Sequence, residues 1–240
     1  RRTGDVPVAG QGDLAGRRVL ISTGGTREPL DPVRYLGNRS SGKMGFAIAA
    51  AAADRGADVT FVTTMQPPAD LAQRVRVVSV ESALQMRDAV LAATPDVLVM
   101  AAAVADFRPD HVADAKIKKT HGDDSAPVIT LVRNPDILAE AVAQRDAKAD
   151  SEARRRVIVG FAAETGDADG DVLFHARAKL ARKGCDVLVA NEVGDGVTFG
   201  QDESTAHLLR ADSDEVVTVG NQTAFETSRA LAKAEGIPAG

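Results

Sequence analysis

The stretch STGGTREPLDPVRYLGNRSSGKMG (residues 22–45) carries Arg27, Arg34 and Arg39, with Asn38 beside the last of them. Guanidinium groups bind carboxylate or phosphate in a bidentate way. Three on one glycine- and serine-bearing loop mark a candidate anion site. Within it, Gly37-Asn38-Arg39-Ser40-Ser41-Gly42-Lys43 fits G-x-x-x-x-G-K. A phosphate-binding P-loop then needs Ser or Thr to hold magnesium, and Met44 stands there. That argues against a P-loop NTPase. The physics behind the near-match survives it. Ser40, Ser41 and Gly42 sit where a helix begins, and unpaired N–H groups with the helix dipole favour phosphate there. The plainer reading is an ordinary N-cap, since serine is among the best.

Five further clusters could do chemistry. In AAAVADFRP (101–109), behind Met100, small residues such as Ala101 and Ala102 let a flat ligand approach the backbone, whose open N–H and C=O groups would read a base edge. Asp106 could accept from a ribose hydroxyl, hold a metal, or simply cap a turn. Lys116-Ile117-Lys118-Lys119 is a solvated face or a point-charge partner for phosphate. Asn134-Pro135-Asp136-Ile137 opens a helix, with Asn134 expected as N-cap and Pro135 at N1. Phe161 stands in GFAAET. Lys179 and Lys183, four apart, share one helix face, where like charges repel and hint at an anion between them.

Composition removes several alternatives. Aromatics are 3% with no Trp, too few for stacking platforms that hold single-stranded nucleic acid. A net charge of −5 does not suit bulk binding of a nucleic-acid backbone. The one cysteine, Cys185, allows no internal disulfide and no cysteine-based zinc site; it reads as a small core residue. No 18-residue apolar run is present, so no membrane span is expected, and a cytoplasmic enzyme is the default. His111, His121, His175 and His207 fall outside the clusters, so no Ser-His-Asp or Cys-His arrangement is expected.

The elements that must position these residues alternate. Strand-like runs RRVLISTGG, DVTFVTT, VRVVSV, PDVLVM, RRVIVGFAAET and CDVLVANEV interleave with helical KMGFAIAAAAADRGA, ESALQMRDAVLAA, NPDILAEAVAQR and DVLFHARAKLARKG. Such alternation gives a mostly parallel, doubly wound sheet. VITLVRN reads as a short extra strand, HLLRADSDEVVTVG as a hairpin around Asp-Ser-Asp, and NQTAFETSRALAKAEG as a closing helix. Residues 1–16 read as a linker and 17–240 as one nucleotide-binding domain, with about 107–135 and 200–220 inserted or at an edge. Ligands bind beyond the carboxyl ends of such strands. That singles out loops 23–43, 101–119, 133–137, 161–170 and 190–199.

In this order, STGGTREPLDPVRYLGNRSSGKMG, AAAVADFRP, KIKK, NPDIL, GFAAET and KGCDVLVANEV closely resemble the phosphopantothenate–cysteine ligase family, over about residues 19 to 193. The first segment is highly specific; KIKK and NPDIL are not so alone. The resemblance implies a Rossmann-like α/β fold with an added dimerisation subdomain, and a homodimer. It implies ligation of 4′-phosphopantothenate to L-cysteine through an acyl-cytidylate, with CTP as co-substrate and Mg²⁺ or Mn²⁺ as metal. It also implies an origin as the C-terminal half of a bifunctional protein whose N-terminal half is a flavin-dependent decarboxylase, so no flavin is expected here. By position, Asn38 would handle the acyl intermediate, and Arg34 and Arg39 the substrate carboxylate or phosphate. Ser40, Ser41 and Gly42 would cradle the triphosphate, and Met100, Ala101, Ala102 and Asp106 would meet the nucleotide, with Asp106 near the metal. Lys116 would bind phosphate, in its own or the partner's site. Asn134, Pro135, Asp136, Ile137 and Phe161 would line the nucleotide pocket beside Lys179 and Lys183.

Two readings compete. A nicotinamide-dependent reductase lacks support, because G-x-G-x-x-G and a Tyr-x-x-x-Lys pair are missing; Tyr35 is the one tyrosine. A non-catalytic nucleotide sensor would have no use for the Arg34–Asn38 pair. The residues alone do not separate CTP from ATP.

Overall fold

The computed structural model describes residues 12–118, 126–147, 156–164, 166, 170–192 and 206–219. The elements run β1 (Arg18–Thr23), β2 (Arg27–Pro29), β3 (Tyr35–Gly37), α1 (Lys43–Asp54), β4 (Asp58–Thr63), α2 (Ala69–Ala72), β5 (Arg76–Ser79), α3 (Ala83–Ala92) and β6 (Val97–Met100). They continue with β7 (Phe107–Pro109), β8 (Leu131–Arg133), α4 (Ile137–Ala147), β9 (Val157–Glu164), α5 (Val172–Lys183), β10 (Val187–Glu192), β11 (Ala206–Arg210) and β12 (Ser213–Val219).

One eight-stranded sheet has the order β12-β11-β10-β9-β6-β1-β4-β5. The six strands from β5 to β10 pair in parallel, and β11 and β12 extend the β10 edge as an antiparallel hairpin. Numbered among themselves, the parallel strands run 3-2-1-4-5-6, so the order reverses between β1 and β6. That is the switch point where doubly wound sheets bind ligands.

The strands are near-continuous apolar runs because helices cover both faces. Leu20, Leu98, Ile158 and Leu188 point to the α3–α4–α5 side and are at most 1% exposed. Ile21, Val99, Val159 and Val189 point to the other side, with Ala49 and Ala52 of α1 among them. Cys185 is buried in the first of these layers, as its sequence context predicts, and burial pushes its thiol pKa up. Helix ends follow local chemistry. Ser82 and Gln85 form a reciprocal capping box on α3, and α5 runs from an Asp171 cap to Gly184 at φ 67°.

Several expectations shift in detail. VITLVRN is a strand only over Leu131–Arg133, which pairs with Phe107–Pro109 in a separate ribbon, as β2 does with β3. The hairpin turn falls at Ala211-Asp212, and β12 already begins at Ser213. Within the stretch expected as linker, Leu14 packs on the sheet layer beside α1, its N–H donates to Arg55 O at 3.1 Å, and Asp13 pairs with Arg55. The closing helix, Lys119 and the 193–199 part of the last loop lie outside the described residues. Among those described, no helix is long and apolar enough to cross a membrane.

Candidate functional site

A cavity of about 1230 Å³ opens at the carboxyl ends of β1, β6, β9 and β10. The sequence places many candidate residues on its wall: Asn38, Arg39, Ser40, Ser41, Gly42, Met100, Ala101, Ala102, Asp106, Asn134, Pro135, Asp136, Ile137, Phe161, Lys179 and Lys183. Arg34 and Lys116 are not on it.

One wall is the start of α1. Gly42 is the N-cap, at φ 68°, and no side chain caps the helix. Ser40 is therefore not the cap; its Oγ accepts from Gly42 N at 3.3 Å just outside the helix. The leading N–H groups of a helix have no intrahelical acceptor. Uncapped, they and the dipole face the cavity, which suits an anion. The buried Thr23 hydroxyl donates to Gly42 O at 3.2 Å and ties this helix start to β1.

The floor is the segment after β6. Its backbone is less open than the sequence suggests. Ala101 N donates to Ser22 O, Ala102 N to Ser22 Oγ, Ala103 N to Gly24 O and Ala105 N to Thr26 Oγ1. Two asparagine amides hold its carbonyls from either side. Asn38 Nδ2 donates to Val104 O at 3.0 Å, and Asn134 Nδ2 to Ala105 O at 2.8 Å. Asn134 N also donates to Asp106 O at 2.8 Å. So Asn134 is a clamp rather than the cap of α4. That cap is Asp136, whose Oδ1 accepts from Ala139 N at 3.1 Å, two residues later than expected. The small residues remain and let a ligand close to this rigid floor.

On the far wall the two lysines do not face each other across an empty gap. Lys179 Nζ pairs with Glu164 at 2.7 Å, and Lys183 Nζ with Asp136. Burial pushes the Asp136 carboxyl up, but Lys183 and the Ala139 N–H outweigh it and hold its pKa below the usual value. An incoming polyanion competes with these carboxylates for the ammonium groups. Glu164→Gln removes that competition and a repelling charge. It is expected to tighten polyanion binding, read with inorganic pyrophosphate, about two- to fivefold, the scale of a partly exposed ion pair, with the gain shrinking as salt rises. Calorimetric titration reads this directly. Weaker binding would mean that Glu164 serves to hold Lys179 in place.

Asp106 is exposed, and its carboxylate makes no hydrogen bond or ion pair among the described residues. No group of three or more metal-ligating side chains exists among them either. One open carboxylate fits magnesium that arrives on a triphosphate and keeps its waters, not a cage built by protein.

Sequence reasoning missed Asn191, Lys43 and Arg133, which also line the cavity. Asn191 is notable because its Oδ1 is buried without a partner and its Nδ2 meets only Met44 Sδ, at 4.0 Å. A buried amide left unsatisfied is costly. It offers a ligand one acceptor and one donor. The signal was the position of Asn191 at the carboxyl end of β10.

Arg34 is spent elsewhere. Its Nε donates to Asp31 Oδ2 at 2.9 Å, and a terminal nitrogen donates to Ile117 O at 2.5 Å. Burial alone would raise the Asp31 pKa. Hydrogen bonds from Val33, Ile117 and Arg34 instead hold it well below the usual carboxylate range. Lys116, beside Ile117, is exposed.

Comparison with known proteins bears on all of this. A family model described as DNA/pantothenate metabolism flavoprotein C-terminal domain matches residues 14–234. The coenzyme A biosynthesis bifunctional protein CoaBC of Mycobacterium tuberculosis is 58% identical over 206 residues, covering 85% of this chain and 48% of the relative. That of Mycolicibacterium smegmatis is 55% identical over 219 residues, covering 90% and 52%. The chain thus spans about half the length of the curated relatives it matches. A crystal structure of the C-terminal domain of a CoaBC protein superposes with a TM-score of 0.69 at 35% identity, covering 93% of this chain and 95% of the other.

Proposed function

We propose a function from the premise that the chain belongs to the DNA/pantothenate metabolism flavoprotein C-terminal domain family: it ligates 4′-phosphopantothenate to L-cysteine at the expense of CTP, a step of coenzyme A biosynthesis. The observation that carries this is the cavity at the switch point. It gathers an uncapped helix start, two lysines and a clamped floor of small residues around one space.

The chemistry proposed is carboxylate activation followed by amide formation. A carboxylate resists attack by an amine, so it must first become a mixed anhydride. The substrate carboxylate attacks the α-phosphorus of CTP, and pyrophosphate leaves with the electron pair of the broken P–O bond. The cysteine amine then attacks the acyl carbon, CMP departs, and the amine proton is lost to water or phosphate. Charge gathers first on phosphate and then on a tetrahedral oxyanion, and preorganised donors stabilise both. The start of α1, with Ser40, Ser41 and Gly42, holds the triphosphate. Lys179 and Lys183 neutralise it. Met100, Ala101, Ala102, Asn134, Pro135, Asp136, Ile137 and Phe161 enclose the nucleoside. Asn38 and Arg39 handle the acyl group. Magnesium or manganese, when bound near Asp106 through the triphosphate, screens phosphate charge.

The assembly is a homodimer. Tyr35 (55% exposed) on β3, Phe107 (45%) on β7, Leu131 (44%) on β8 and Val128 (94%) just before it are exposed apolar side chains, which suits such an interface. Lys116, off its own chain's cavity, then serves phosphate in one of the two sites. The full-length protein carries a flavin-dependent decarboxylase ahead of this domain and works in the cytoplasm.

The test is pyrophosphate release with Mg²⁺ and 4′-phosphopantothenate, with CTP or ATP, with and without cysteine. Cysteine-dependent turnover that yields CMP is expected. No release with either nucleotide would sink the ligase reading.

A further inference from the structure

The Asp31 carboxylate does more than a turn requires. Its Oδ1 accepts from Val33 N and Arg34 N, both at 2.9 Å, which is ordinary side-chain support of a turn. Its Oδ2 accepts from Arg34 Nε at 2.9 Å and, 86 residues along the chain, from Ile117 N at 3.1 Å. Arg34 in turn donates to Ile117 O. Both backbone polar groups of Ile117 are therefore captured by one ion pair. Asp31 is 2% exposed, so water does not compete for its oxygens. A second tie lies alongside, from Ala113 N to Leu30 O at 3.0 Å. The residues flanking Ile117, Lys116 and Lys118, remain exposed.

We propose that Asp31 and Arg34 form a latch that positions Lys116 for the phosphate chemistry, with Asp31 a positioning residue for the reaction. The inference rests on the ligase reading above and deepens it. A lysine is a point charge on a flexible stem, so its value to a phosphate depends on where its backbone is held. The latch fixes that backbone at the adjacent residue with charge-assisted hydrogen bonds, which are shorter and stronger than neutral ones. It also gives Arg34 a role that does not need contact with substrate.

A double-mutant cycle tests this on the full-length protein, with Asp31→Asn, Lys116→Ala and the pair, reading kcat and KM for nucleotide together with thermal stability. Lys116→Ala is expected to lower kcat/KM about 10- to 100-fold, and Asp31→Asn to lose a similar amount, the scale of a misplaced catalytic group. The pair should be no worse than Lys116→Ala alone. Two folded single variants whose losses multiply would overturn the latch, as would Asp31→Asn at the wild-type rate while Lys116→Ala is impaired. Lys116→Ala at the wild-type rate would instead remove the role given to Lys116, and the latch with it. If Asp31→Asn does not fold, Arg34→Gln, which removes the contact to the Ile117 carbonyl, takes its place in the same cycle.

Discussion

Asn38→Ala is expected to release a burst of pyrophosphate equal to the enzyme present, and then to form amide roughly 10²- to 10³-fold more slowly than wild type, the usual cost of losing one oxyanion-type donor. The two steps separate because different groups serve them. On the proposed roles, activation draws on the start of α1 and on the lysines of α5 rather than on Asn38. Amide formation draws on whatever polarises the acyl carbonyl, the role proposed for Asn38 on the cavity wall. Its Nδ2 donates to Val104 O, so truncation also releases one strut of the floor. A net hydrogen bond is worth only about 1 kcal/mol. Asn38 is exposed, so water replaces it, and the floor keeps its Asn134 strut. A small change in melting temperature with a large loss of amide is therefore the signature. Rapid-quench measurement of pyrophosphate beside mass-spectrometric measurement of product gives both numbers. Equal losses in the two would place Asn38 in activation and remove it from the second step.

What the sequence disclosed divides along one physical line. Runs such as RVLIST and VLVM could only be buried strands, and the Ala-rich stretch before Arg55 could only be a closely packed helix. The strand-end rule then pointed to segments that do line the cavity, 23–43, 101–119 and 133–137 among them. Chemistry set by local pattern was legible. Pairing across the fold was not. Lys179 and Lys183 looked like a bare cationic face because nothing in their own helix names Glu164 or Asp136 as partners. Arg34 looked like a substrate arginine because Ile117 is 83 residues away in sequence. Asn134 has the right type and place for a cap, and only the folded chain brings Ala105 O within reach of its amide. In each case a side chain with a plausible local role is claimed by a tertiary one, and sequence periodicity carries no record of that competition.

Gly45→Ala is expected to cost about 2 kcal/mol, the top of the overpacking range less the helix-propensity gain of about 1 kcal/mol that alanine brings. That corresponds to a melting temperature roughly 4–8 °C lower in a domain of this size. Alanine would normally help the first turn of a helix. Here an added Cβ would stand 2.1 Å from Thr23 Oγ1 and 2.4 Å from Thr23 Cβ. Thr23 has nowhere to go. It is 1% exposed, and its backbone belongs to β1, an interior strand paired on both sides by β4 and β6. Its hydroxyl is also committed to Gly42 O. The helix must therefore lift from the sheet at the very turn whose N–H groups face the cavity. Stability and nucleotide affinity should fall together, with affinity down more than tenfold, because the dipole acts only within the first turn. Thermal melts with and without nucleotide separate the two effects, since ligand-linked stabilisation reports affinity independently of the starting stability. A variant that melts like wild type and is stabilised equally by nucleotide would mean that α1 sits further from Thr23 than the packing requires. The anion-binding role of its first turn would then fall with it.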